Sequence, residues 1–279
     1  MSVIQKRDLA ARHDFSASGK AVEASLTRAL RSHRSLLRFL GRYTSWNGFF
    51  GSGVVILVGK IGCCRIMFLE LGQPILHLAD RSVFVASFFF DAARDEFDDR
   101  STEHRDTHRC LAQALVGGVT AYAQLTEPEE INELLAEPSW LHTLQDRVAL
   151  GYGARSEDHA PMLFRSMGYH LGSEVLADEE FSRIDASMRR ADPALVKHLE
   201  GYEVDIAGKP HNAYRWIAAH SGHGSAVEWD HFKWAVEGVE LAFRFTQPER
   251  QAEFRRQVFL GFDDFARDHA EFFKRVSEP

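Results

Sequence analysis

Along most of the chain apolar residues recur at intervals of three and four, and sustained alternation is nearly absent. That period predicts helices rather than strands. Residues 18–47 place Leu26, Leu30, Leu36, Leu37 and Leu40 near helical spacing with arginines between them, which predicts an amphipathic helix. Residues 49–69 are apolar and partly β-branched, but without a period of two they read as a buried helix. Residues 82–94 bring Phe84, Phe88 and Phe89 onto one helical face, and the polar run FDDRST predicts an end near Glu96 or Phe97.

The second half continues the pattern. Residues 104–124 predict a helix loosened by Gly117 and Gly118, and Thr126 reads as the N-cap of a fresh helix with proline in its first turn. Pro138 and Pro161 open two further helical runs, the second long. After Pro193 come a short helix, the turn-like DIAGKPHN, the segment AYRWIAAH, the glycine-broken link SGHG, and a helix starting at SAVEWDHF. A phenylalanine-rich helix closes the chain, and its Phe254, Phe259, Phe262, Phe265, Phe272 and Phe273 read as core or dimer surface. The expectation is an all-α bundle of about eight to ten helices. It forms one domain over 1–279, with a core of about 30–245 and the last helix, 246–279, packed on it.

Composition narrows the partners. Hydrophobic residues at 45% and charged residues at 26% suit a globular chain with a sizeable core. A net charge of −7 lacks the basic excess that phosphate backbones require, so nucleic acid is excluded as a partner class. Three cysteines, Cys63, Cys64 and Cys110, make neither a disulfide framework nor a thiolate zinc site and suit a reducing cytoplasm. The start has no apolar secretion segment, and the apolar run from Phe49 to Gly59 is too short to span a bilayer, so neither secretion nor a membrane is expected.

Fourteen histidines beside 40 acidic residues supply imidazole and carboxylate, the donors that helical bundles use for metals in their cores. Three segments carry them among apolar residues. In AARDEFDDRSTEHRDTHRCLAQAL, Glu96 ends one helix, and His108, or His104 in its place, opens the next. In MGYHLGSEVLADEEF, Glu174 is flanked by Met167, Leu171, Val175 and Phe181, so its carboxylate is partly buried and needs a partner. In AAHSGHGSAVEWDHF, Glu228 and His231 are three apart and face one side of a helix, with His220 and His223 upstream.

This order resembles the haem-oxygenase-like di-iron oxidases and oxygenases over about residues 30–245. The segment RDEFDDRSTEHRDTHRCLAQAL is similar to the family's first ligand segment, GYHLGSE to its middle helix, and AHSGHGSAVEWDHFKWAV to its last cluster. Gly224 stands four before Glu228 where the family has histidine, so one of His220 and His223 would supply that ligand. The resemblance implies a bundle of seven core helices with added ones. It implies two ferrous ions held by Glu96, His108, Glu174, His220 or His223, Glu228 and His231. Dioxygen would be the co-substrate, oxidising a small amino-acid-derived or fatty-acid-like molecule.

Other readings stay open. True haem oxygenases share the bundle, and His33 could be an axial ligand with GYHLGS as distal glycines. Related thiamine-degrading bundles use a cysteine nucleophile, for which Cys110 lies near the right region. The 21 phenylalanines could equally line the pocket of a non-catalytic binding protein. Arg94 or Arg215 is a candidate clamp for a substrate carboxylate.

Overall fold

A computed structural model of the chain describes residues 4–64, 78–98, 106–156, 159–221 and 227–278, without the side chains of 78–80, 227 and 228. The order of helices is α1 Lys6–Ala10, α2 Phe15–Ala29, α3 His33–Asn47, α4 Phe50–Cys63, α5 Leu78–Phe97, α6 His108–Tyr122 and α7 Pro128–Leu135. Then follow α8 Ser139–Gly151, α9 Ala160–Ala191, α10 Pro193–Gly201, a hairpin of β1 Glu203–Ile206 and β2 Lys209–Asn212, α11 Arg215–His220, α12 Val227–Arg244 and α13 Gln251–Arg275. The all-α class holds, and the described residues carry more helices than expected because the run 18–47 is divided into α2 and α3 and because α1 lies ahead of the first expected run.

The boundaries have local causes. The run 18–47 is two helices, because Ser32 caps α3 by accepting the Ser35 N–H at 3.1 Å while Ser35 Oγ donates to the Ala29 carbonyl that ends α2. Such a cap contributes about 1 kcal/mol. Helix α6 starts at His108 because Thr107 Oγ1 accepts the Cys110 N–H at 3.0 Å, and α7 starts at Pro128 with Glu127, not Thr126, at the cap. The segment read as a turn is an antiparallel hairpin pairing Val204 with His211, turned by Ala207 (φ 55°) and Gly208 (φ 79°). Both turn residues are left-handed, the pattern of a two-residue hairpin loop.

Helix α9 is the axis of the molecule. Every residue from Ser166 to Leu176 is buried, so this helix is enclosed on all sides rather than on one stripe. Its main partner is α13, which buries Phe254, Phe262, Phe265, Phe272 and Phe273. The phenylalanine-rich helix is therefore core, with each buried ring contributing about 1.5–3 kcal/mol. The backbones approach closely where a Cβ on Gly168 would lie 1.9 Å from the Val258 carbonyl oxygen, and one on Gly261 would lie 1.8 Å from that of Arg165.

Helix α5 corrects one expected face. Its core stripe is Val85, Ala86, Phe89, Ala92 and Ala93, whereas Phe84 and Phe90 are 53% and 54% exposed. Small residues hold the buried side because α4 packs against it, with Gly51 beside Glu96 and Gly62 beside Ala86. The stretch His33–Cys63 has the length and mean hydropathy of a membrane span, 1.2, but it consists of two helices, and α3 buries its apolar side in the core.

Between α8, α9 and α13, Asp268 is buried, accepts from Tyr169 Oη at 3.1 Å and lies 3.3 Å from Arg147. Burial raises the Asp268 pKa above the ordinary carboxylate value, with Arg147 pulling against that rise. An acid with a higher pKa in the fold than in the unfolded chain binds its proton more tightly when folded. Its ionisation thus costs stability above the folded pKa, and the cost vanishes as pH falls through it. Asp268→Asn is therefore expected to gain on wild type in thermal midpoint as pH rises from about 4, the ordinary carboxylate value, through the raised folded one. A midpoint difference that does not change with pH would count against the buried charge.

Candidate functional site

Five helices bring their ends or middles to one place. Helix α5 delivers Asp95 and Glu96 in its last turn, α6 delivers His108 as its first residue, and α11 delivers His220 as its last. Helix α12 brings His231 in its second turn, and the enclosed middle of α9 carries His170 and Glu174. The start of α6 is anchored by the buried pair Asp106 and His211, 2.8 Å apart, which ties the hairpin to the residues just before His108. Arg109 holds the same turn to α3 by donating Nη1 to the Thr44 carbonyl at 2.6 Å.

The imidazoles and carboxylates meet in pairs. His108 Nδ1 is 3.3 Å from Glu96 Oε2, and the His108 and His220 rings lie edge to face at 4.5 Å. His231 bridges two acids, with Nε2 3.1 Å from Asp95 Oδ2 and Nδ1 3.5 Å from Glu174 Oε2. His170 Nδ1 reaches Glu174 Oε1 at 3.3 Å, one helical turn away. Behind it Tyr152 Oη and Ser173 Oγ are 2.8 Å apart. His220 Nδ1 is 2.7 Å from the Trp216 carbonyl, which can only accept. The proton of the neutral ring is therefore on Nδ1 and its lone pair on Nε2.

Two small cavities, about 50 and 20 Å³, share Phe50, Glu96, His108 and Glu174 as walls; His220 lines the larger and His231 the smaller. Compared with known proteins, the sequence matches no family model and no curated protein.

Of the residues singled out in the sequence, Glu96, His108, Glu174, His220 and His231 are thus brought together from five helices. His104, His223 and the side chain of Glu228 lie outside the described residues. Among the described residues no three His, Cys, Asp or Glu side chains are arranged to hold a metal ion. The donors surround shared space as imidazole–carboxylate pairs. Their chemistry, hard carboxylate oxygen with borderline imidazole nitrogen, suits iron or manganese.

Residues weighed for other roles lie elsewhere. His33 is on the surface 3.3 Å from Asp192, and Gly168 and Gly172 are packed against α13 rather than facing a cofactor pocket. Cys110, Arg94 and Arg215 line neither cavity, and Arg109 lines the larger one. Sequence reading missed Asp95, His170 and Glu180. The first two had signals, since Asp95 adjoins Glu96 and His170 is four residues before Glu174. Glu180 had none, because its DEEF context looks like a solvated acidic run, yet it is 5% exposed.

Proposed function

We propose that this protein is a non-haem iron oxidoreductase that uses dioxygen to oxidise a small organic molecule. The observation that carries the reading is the gathering of Glu96, His108, Glu174, His220 and His231 around two small cavities that share Glu96, His108 and Glu174 as walls. Two irons held by these residues, with Glu228 and His223 as further candidates from the last cluster, would supply dioxygen activation.

The chain's own residues support that chemistry in three ways. Asp95 orients the His231 ring and the Trp216 carbonyl orients His220, the outer contacts that fix a ligand's tautomer and direction. Phe50, Ala112, Ala177, Phe181, Trp216 and Phe265 give the larger cavity an apolar part of its wall, beside the polar Thr44, Asn47, Arg109, Ser173 and Glu180. Pairing with imidazole gives partners to the buried Glu174 and to the half-buried Glu96.

The test is anaerobic titration of chelator-treated protein with Fe(II), followed by a pulse of dioxygen. Binding of about two equivalents is expected, with an absorption change that needs both iron and dioxygen. Absence of binding sinks the assignment.

A further inference from the structure

We infer that the Glu180 end of the larger cavity is a subsite for the ammonium group of a small alkylamine substrate, an inference that rests on this cavity being the reaction chamber. Glu180 is six residues beyond Glu174 on α9, about 9 Å along the helix axis. Both line the same space.

The Glu180 carboxylate is held by side chains rather than by solvent. Tyr43 Oη donates to Oε1, and His269 Nε2 lies 3.0 Å from Oε2. These contacts set the orientation of an acid on the cavity wall. Beside it the wall is aromatic: Trp46, Phe181, Trp216 and Phe265 line the cavity. The Tyr43 ring packs 5.4 Å from Trp216 and 5.9 Å from Phe181. A fixed carboxylate among aromatic faces is the environment that favours an organic cation, through charge pairing on one side and ring quadrupoles on the other.

The remaining charges select against the opposite ligand. Away from the Glu96–His108 and Glu174–His170 pairs, the acid of this end is Glu180, so a substrate whose head group is a carboxylate meets like charge there. The cation of the wall, Arg109, has its Nη1 engaged by the Thr44 carbonyl at 2.6 Å. At about 50 Å³ the cavity admits only a short chain.

The test titrates chelator-treated full-length protein with n-butylammonium, 1-butanol and butyrate, read by tryptophan fluorescence because Trp46 and Trp216 line the cavity. Wild type is expected to bind n-butylammonium about tenfold or more tighter than the other two. Glu180→Gln is expected to abolish that preference while still binding iron at the wild-type stoichiometry. Glu180→Asp, which keeps the charge but withdraws it, serves if the glutamine variant does not fold, and should weaken the preference. A wild type without preference, as when a charged His269 already balances Glu180, overturns the subsite, as does a preference that survives Glu180→Gln. Because the titration needs no metal, its failure with iron still bound removes the subsite alone, and iron failure with the preference intact removes only the metal reading.

Discussion

Replacing Glu174 by alanine is expected to lower Fe(II) affinity about 100-fold or more while leaving the helical circular dichroism spectrum unchanged. The residue sits at the centre of the cluster: its Oε1 is 3.3 Å from His170 and its Oε2 is 3.5 Å from His231. It is also a wall of both cavities. Removing it deletes the carboxylate that joins the α5–α12 pair, Asp95 and His231, to the α9 histidine. The fold should survive, because α9 is anchored along its length by Met167, Leu171, Val175 and Leu176, all buried. Glu174→Gln keeps the volume and removes the charge, so it separates loss of a ligand from loss of packing. Asp95→Asn, acting only through His231, should cost about tenfold. Iron content after desalting and the spectrum of the same sample check the result. Wild-type iron retention in Glu174→Ala would place the metal elsewhere or nowhere.

Gly261→Ala is expected to lower the thermal midpoint by about 5–10 °C. The added Cβ would stand 1.8 Å from the Arg165 carbonyl oxygen and 2.8 Å from the Tyr169 nitrogen. Both obstacles are backbone, so no rotamer change relieves the clash and α9 and α13 must separate. Separation loosens the stacked rings of Phe164 and Phe254, 4.4 Å apart, and the contact of Tyr169 with Phe265. Overpacking of this kind costs about 3 kcal/mol or more, against about 1 kcal/mol gained in helix propensity. Gly59→Ala on α4 is the control, since a Cβ there meets nothing within 4 Å. That variant should gain the propensity alone. A Gly261→Ala protein that melts with wild type would mean the helices cross less closely than described.

The separation at Gly261 also bears on the site. Helix α13 supplies Phe265 to the cavity wall and His269 to Glu180, so a loosened α9–α13 contact should weaken n-butylammonium binding before it affects iron.

Much of this was legible in the sequence because it depends on local spacing. Helical period, prolines in first turns and the FDDRST break placed α5, α7, α8 and α9 near their observed bounds, since these signals act within a few residues. Glu96, Glu174 and His231 stood out because acids and imidazoles among apolar neighbours are costly unless they have partners. The break at Ser32 and the hairpin at Ala207 and Gly208 were not read. Each depends on one cap or one left-handed pair that the surrounding apolar period hides.

The sequence alone determined the class of the fold, the faces that had to be buried and the kinds of donor available, because period, hydrophobicity and side-chain chemistry are properties of short segments. Only the tertiary structure decided which donors meet. Asp95 rather than a neighbouring acid faces His231, Glu180 is held on the cavity wall by Tyr43 and His269, and Arg94 and Arg215 stay away from the cavity. Contacts between residues more than a hundred positions apart follow from how α9 is enclosed and how closely glycine lets α13 approach it. That packing geometry is a property of the assembled bundle and has no signature in any one of its helices.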